Sequence, residues 1–198
     1  MPSKAARTKA FIIETIAPVF NKHGYVGTSM SDLTTITGLT KGALYGNFEN
    51  KEALALAAYS HNSGKLIDAI DAQLEGEESP LERILKLTNF YRNYDNFTFV
   101  IGGCPIVNVG VDANHNNAPL QEAVKQTIKH IEHQISIVIE EGVQNKQMHI
   151  PVPSIQFAKQ LFTMIQGAVT MATITEDRKY LRNTIAYLEV LVKTEVAL

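Results

Sequence analysis

The chain has 198 residues, 45% of them hydrophobic, and a formal net charge of −2, which allows one or two compact units with a substantial core. Its one cysteine excludes a disulfide scaffold within the chain and fits a reducing compartment. No apolar run is long enough to span a bilayer and the amino end carries no signal-peptide hydrophobic region, so a cytoplasmic location away from membranes is expected.

The charge is unevenly placed. Residues 1–50 carry five Lys or Arg against three Asp or Glu, net +2, and the remainder carries thirteen against seventeen, net −4. Lys4, Arg7 and Lys9 form a basic arm, readable either as a solvated tail or as a contact to phosphate or a minor groove. Residues 28–51 then read as two short helices around a tight turn. Ser29, three residues before Asp32, is a capping box that opens the first, with Met30, Leu33 and Ile36 expected inward. Gly38 supplies a positive-φ stop and Leu39 tucks the turn into the core. Thr40 restarts the chain as an N-cap, so a second helix is expected from about residue 41 to 48. Leu44 and Phe48, four apart, anchor it, leaving Lys41, Gly42, Ala43, Tyr45 and Asn47 on or near its outer side. That division suits a recognition helix: anchors beneath, short or hydrogen-bonding groups above.

The run Gly38-Leu39-Thr40-Lys41-Gly42-Ala43-Leu44-Tyr45-Gly46-Asn47-Phe48, with Lys51-Glu52-Ala53-Leu54 after it, resembles the signature of the TetR family of transcriptional regulators. The similarity runs from about residue 10 to 56 and includes the aromatic-lined first helix and Gly24-Tyr25. Thr34 and Thr37 stand where the family usually has alanine, and Asn47 where histidine is common. The resemblance implies that Thr28, Thr40, Tyr45 and Lys51 contact phosphates, which orient a domain without reading sequence. Lys41, Gly42 and Ala43 become the base-facing residues, since lysine can donate to guanine and alanine can meet a thymine methyl. Asn47 can still donate to a phosphate. Tyr45 also reads as a half-buried packing residue, and Lys51 as a surface charge at a helix start.

Beyond this region the pattern is helical throughout, with no sustained period-two alternation and no internal repeat. Residues 52–74 form one helix, with Leu54, Ala58, Leu66, Ile70 and Leu74 inward, and residues 75–80 are a turn cluster. A helix over about 81–97 carries Ile84, Leu85, Leu87, Phe90, Tyr91 and Tyr94. Gly102-Gly103-Cys104-Pro105 is a break before a short helix to about residue 109, and residues 114–119 are a polar loop. The longest helix spans about 120–146, with Val124, Ile128, Ile131, Ile135, Val138 and Ile139 inward. The last two, about 154–175 and 177–195, carry apolar residues on more than one side, and a partner subunit is the economical destination for that surplus. The family resemblance places a four-helix dimer interface there, with Gly167-Ala168 permitting close approach, and two recognition helices on one face of a pseudo-palindromic operator.

The expected fold is therefore all-α: a helix-turn-helix DNA-binding domain over residues 1–50 and a helical ligand-binding and dimerisation domain over 51–198. By the same resemblance the later helices surround an effector cavity walled by Phe90, Tyr91, Tyr94, Phe97, Cys104, Asn108, Ile131, Met164 and Met171, although such stripes are also ordinary core. Gly103-Cys104-Pro105 resembles an element of a subgroup in which some members sense electrophiles or oxidants. A helix N-terminus would stabilise a Cys104 thiolate, and a buried unreactive thiol is the alternative. His130 and His133, three apart, lack a third ligand at diagnostic spacing, so no metal is expected. No phosphate loop, metalloprotease helix or nucleophile elbow occurs, so neither a cofactor nor enzymatic activity is expected. The reading is a dimeric repressor released from double-stranded DNA by a small apolar or electrophilic effector. The alternative is a small-molecule or redox-sensing protein without sequence-specific DNA binding.

Overall fold

A computed structural model describes residues 3–197 and is all-α: among them the only extended pairing is a single antiparallel bridge between Met148 and Ala197. Ser3 caps the first helix, α1 (Lys4–His23), accepting from the Ala6 N–H. Lys4, Arg7 and Lys9 are thus turns of an exposed helix and not a tail, a correction that follows from the N-cap, which supplies one of the N–H partners a helix start lacks. After α1 come α2 (Met30–Thr37), α3 (Lys41–Tyr45) and α4 (Lys51–Leu74). Then follow α5 (Pro80–Arg92), α6 (Tyr94–Ile101), α7 (Pro105–Ala113), α8 (Ala118–Gln144), α9 (Ser154–Thr175) and α10 (Lys179–Leu191).

Three expected boundaries shift. The helix expected over 81–97 is two, α5 and α6, parted at Asn93, whose N–H turns back to the Phe90 carbonyl and whose Nδ2 donates to Asn89 O at 3.3 Å. Asparagine offers the backbone such local alternatives to helix. The short helix after Cys104 runs on to Ala113. The last helix ends at Leu191 and passes into a π-helical turn, Val192–Val196.

Packing divides the chain into two compact units. One holds the residues up to Leu66 with Asp95–Thr127, and the other holds Ile67–Tyr94 with Ile128 onward. The first is cored by Ile12, Ile16 and Phe20 of α1, Leu33, Leu44, Leu54, Ala58 and Leu66, joined by Val109 and Leu120. In the second, Ile70, Ile84, Leu87, Tyr91, Ile131, Ile135, Leu161, Ile165, Ile185 and Leu188 are buried. Arg83, 8% exposed, reaches Leu74 O at 3.1 Å and pairs with Glu141, and Arg92 pairs with Glu189 at 2.6 Å. No single helix among the described residues is long and apolar enough to cross a membrane.

Candidate nucleic-acid interface

The α2–α3 pair is built from local hydrogen bonds that the sequence writes down directly. Ser29 Oγ accepts from the Asp32 N–H at 3.2 Å while the Asp32 carboxylate accepts from the Ser29 N–H at 2.8 Å. The Ser29 hydroxyl, which donates to the same carboxylate at 2.7 Å, and then the Ser29 N–H hold the Asp32 carboxyl below its usual range, so the cap stays ionised at neutral pH. Leu33 is fully buried, but Ile36 is 49% exposed and Thr37 is buried in its stead. Leu33 and Thr37 stand four apart on one face, and Thr37 tolerates burial because its hydroxyl donates to Leu33 O at 2.6 Å. Gly38 closes α2 at φ 66°, where a side chain would be strained.

Thr40 opens α3, its Oγ1 accepting from the Ala43 N–H at 3.1 Å. The helix stops at Tyr45, three residues sooner than expected. Gly46 weakens continuation, and the N–H groups of Asn47 and Phe48 both converge on Leu44 O at 3.0 Å, which tightens the last turn. Leu44 is fully buried and Phe48 is 6% exposed, so both anchors lie beneath. Above them Thr40, Lys41, Gly42 and Tyr45 are exposed and Ala43 is half-buried. Lys41 Nζ lies 5.8 Å from the Tyr45 ring centroid, within cation–π range.

The other residues expected at DNA are more engaged. Asn47 Nδ2 donates to Ala43 O at 2.9 Å. Thr28 is buried, its hydroxyl donating to Gly24 O at 2.7 Å. Lys51 is half-buried, with Nζ donating to Tyr25 O at 2.6 Å and lying 4.4 Å from the Tyr25 ring centroid. Lys51 thus braces the loop between α1 and α2.

That loop is gripped from a second side by residues the sequence reading missed. Asp112 of α7 accepts from the Tyr25 N–H at 2.5 Å and the Val26 N–H at 3.3 Å. Asn21 of α1, 1% exposed, donates from Nδ2 to Ile101 O at 2.8 Å and Gly103 O at 2.7 Å, and its backbone carbonyl accepts from Asn108 Nδ2 at 3.0 Å. Gly102, at φ 81°, lies so close to α1 that a Cβ would sit 2.4 Å from Pro18 O. The α6–α7 turn is therefore seated on the same helix that supports α2 and α3. The available signal was Asn21 itself, an amide inside the apolar stripe of Ile12, Ile16, Ala17 and Phe20, since a buried amide needs partners.

The residues expected around an effector are dispersed. Phe90, Tyr91 and Tyr94 meet in one ring cluster, with centroid separations of 4.8–5.7 Å, and Ile131 is fully buried in the same unit. Phe97, Cys104 and Asn108 belong to the other unit, where Cys104 is buried as the α7 N-cap and Asn108 is committed to Asn21. Met164 and Met171 are 38% and 42% exposed, on the outer side of α9. His130 faces Asp71 at 3.4 Å.

Residues 12–58 match the family described as bacterial regulatory proteins of the tetR family, and residues 80–188 match the tetracyclin repressor-like C-terminal domain. The chain belongs to the TetR family. A TetR family regulator from Cytophaga hutchinsonii is 33% identical, with a TM-score of 0.91 over 100% of this chain and 98% of that one. A TetR regulator from Chloroflexus aurantiacus is 29% identical, with a TM-score of 0.91 and 98% of each chain covered. The HTH-type transcriptional repressor DhaR of a Mycobacterium species is 27% identical over 180 residues, 88% of this chain and 87% of that protein. The protein is accordingly a helix-turn-helix transcriptional regulator, of a family of DNA-binding proteins and not of enzymes. The TetR assignment makes α3 the recognition helix and α2 its support.

Proposed function

We propose that this TetR regulator is a homodimeric repressor that reads a pseudo-palindromic operator through residues 1–50 and is released by a small apolar effector held by residues 51–198. The observation that carries the DNA reading is the outer surface of α3: Thr40, Lys41, Gly42 and Tyr45 stand exposed over the buried anchors Leu44 and Phe48. Lys41, Gly42 and Ala43 face bases; Thr40 and Tyr45 face phosphate. The side chains of Thr28, Asn47 and Lys51 are occupied internally, so these residues act by holding the loop before α2 and the end of α3.

Dimerisation uses α9 and α10. Met164, Met171 and Ile174 of α9 and Tyr180, Tyr187 and Val190 of α10 are 38–72% exposed. Their seven- and three-residue spacing puts each set on one face of its helix, and an added Cβ at Gly167 would meet nothing within 4 Å, leaving that spot open to a close neighbour. A second copy of the chain covers this surface, and Met164 and Met171 serve there. The effector site then falls, within the second unit, to the ring cluster of Phe90, Tyr91 and Tyr94 together with Ile131. Binding there lowers operator affinity only to the degree that the ligand prefers the DNA-incompetent state. Such a regulator works in the cytoplasm, where its operator is.

The test is selection from randomised duplexes by purified protein, followed by titration of the enriched sequence at several salt concentrations. Two inverted half-sites are expected, ~34–36 Å apart or a multiple of it, with a log-log salt slope of about −0.9 per phosphate neutralised. Failure to enrich any sequence overturns the DNA reading. Sedimentation of Tyr187→Glu at half the mass of the wild type is expected; an unchanged mass removes the dimer face.

A further inference from the structure

A small enclosed cavity lies within the first unit, between α1, α4, α7 and α8. Ala17, Phe20, Asn21, Tyr25, Ala55 and Tyr59 form most of its wall, with Asn62, Val109 and Leu120 closing it. Its polar lining is unusual in kind. Asn21 and Asn62 are 1% and 2% exposed, and the Oδ1 atom of each is buried without a hydrogen-bond donor in the chain. The orientation of both amides is fixed by their other ends. Asn21 Nδ2 faces the carbonyls of Ile101 and Gly103, and Asn62 Nδ2 faces Ala17 O at 2.9 Å. Flipping either amide would set oxygen against oxygen, so both Oδ1 atoms stay unpartnered acceptors.

Two buried acceptors beside one cavity define the chemistry of its occupant. It must bring two donors, because leaving a buried acceptor unsatisfied is costly whereas a bridged one is not. It must be neutral. Two carbonyl-type oxygens repel an anion, no carboxylate lines the cavity to balance a cation, and the Lys51 ammonium already lies 4.4 Å from the Tyr25 ring that forms part of the wall. It must be small: the room open to its centre is about 10 Å³, about what a single water needs. We propose that this cavity is a binding site for one neutral two-donor molecule, water, which donates to Asn21 Oδ1 and Asn62 Oδ1 and so ties α1 to α4. The bridge sits behind the amide that seats the α6–α7 turn, since the same Asn21 holds Ile101 and Gly103.

The experiment has a direct and a comparative arm. In a crystal structure of the full chain at high resolution, one ordered water within hydrogen-bond distance of both Oδ1 atoms is expected. An empty cavity, or amides rotated onto other partners, overturns the proposal. In solution, water ¹⁷O relaxation dispersion counts long-lived internal waters. Asn62→Leu deletes one acceptor and is expected to remove one long-lived water. If Asn62→Leu fails to fold, the wild-type crystal structure decides the matter by itself. An unchanged water count in a folded Asn62→Leu overturns the proposal.

Discussion

Thr40 is the residue at which fold and DNA reading can be separated by substitution. Its Oγ1 accepts from the Ala43 N–H at 3.1 Å, which consumes a lone pair and leaves the hydroxyl proton to donate outward from an exposed position. Thr40→Ala removes both functions. The lost cap costs about 1 kcal/mol of stability, a fall of ~2–4 °C in melting temperature for a chain of this size. On the proposed DNA reading, the lost hydrogen bond to a charged phosphate costs about 1.5 kcal/mol per half-site. Two half-sites give about 3 kcal/mol, roughly a hundredfold in operator affinity. Thr40→Ser keeps both functions and should match wild type in both measurements. Thr40→Asp is the decisive variant: its carboxylate caps α3 as well as threonine does and is favoured by the helix dipole, yet faces phosphate with a like charge. It should keep the wild-type melting temperature and lose more affinity than Thr40→Ala. Calorimetry and fluorescence anisotropy on the selected operator read the two quantities. Wild-type operator affinity in Thr40→Asp would refute the placing of Thr40 against the DNA backbone, and an unchanged melting temperature in Thr40→Ala would refute its role as a cap.

Leu44→Ala, at a fully buried anchor beneath α3, should cost ~2–5 kcal/mol and abolish operator binding at a temperature where the remainder of the protein stays helical by circular dichroism; tight binding by this variant would show that α3 does not depend on its anchor. The Tyr59 phenol, buried and donating to Thr127 Oγ1 at 2.8 Å, is pushed up from 10.0 to about 12 by burial first, partly offset by that hydrogen bond. Because the folded value is the higher one, the neutral phenol's contribution is complete below pH ~10 and is lost as pH rises through ~12, a total of about 3 kcal/mol. Urea titrations from pH 8 to 11 should show stability falling more steeply in wild type than in Tyr59→Phe, and parallel pH profiles would contradict this. Gly102→Ala combines a positive φ with a Cβ 2.4 Å from Pro18 O, so a loss of at least ~1–3 kcal/mol is expected; a melting temperature equal to wild type would mean that the α6–α7 turn is not seated on α1.

The motif was legible because it is made of short-range bonds. Ser29 with Asp32, Gly38, and Thr40 with Ala43 each act over two to three residues, so sequence spacing alone places them. The inward stripes of α4 and α8 were legible for a similar reason: Leu54, Ala58, Leu66 and Ile70 on one, and Ile131, Ile135, Val138 and Ile139 on the other, repeat at helical period and are all buried. Periodicity failed where a polar group satisfies itself locally. Thr37 could replace Ile36 in the core because its hydroxyl bonds to Leu33 O, and hydropathy does not register that. Periodicity also says nothing of which long-range partner a buried amide finds. Asn21 with Ile101 and Gly103, and Asp112 with Tyr25 and Val26, bridge 80 to 87 residues of sequence. Nor can an apolar side chain declare whether it faces its own core or a second chain. Ile165 and Met164 are adjacent in sequence, and one is fully buried while the other is 38% exposed.

These long-range bonds bear on how a signal would reach α3. The first unit is not the helix-turn-helix alone; it also contains α7 and most of α6. Within it, three independent grips converge on the support of α2 and α3. Asn21 and Gly102 fasten the α6–α7 turn to the middle of α1, Asp112 holds the N–H groups of the loop after α1, and Lys51 holds the carbonyl of that same loop from the start of α4. A rigid-body shift of α7 therefore cannot leave the Tyr25–Val26 backbone where it is without breaking charge-assisted hydrogen bonds, which are stronger than neutral ones. Nor can it leave α1 unmoved while Pro18 O and Gly102 are in contact. Packed interfaces of this sort switch between discrete arrangements and do not deform gradually. An effector that repositions α6 or α7 thus acts on the seat of the recognition helix through backbone hydrogen bonds, with no need for a change inside α3 itself.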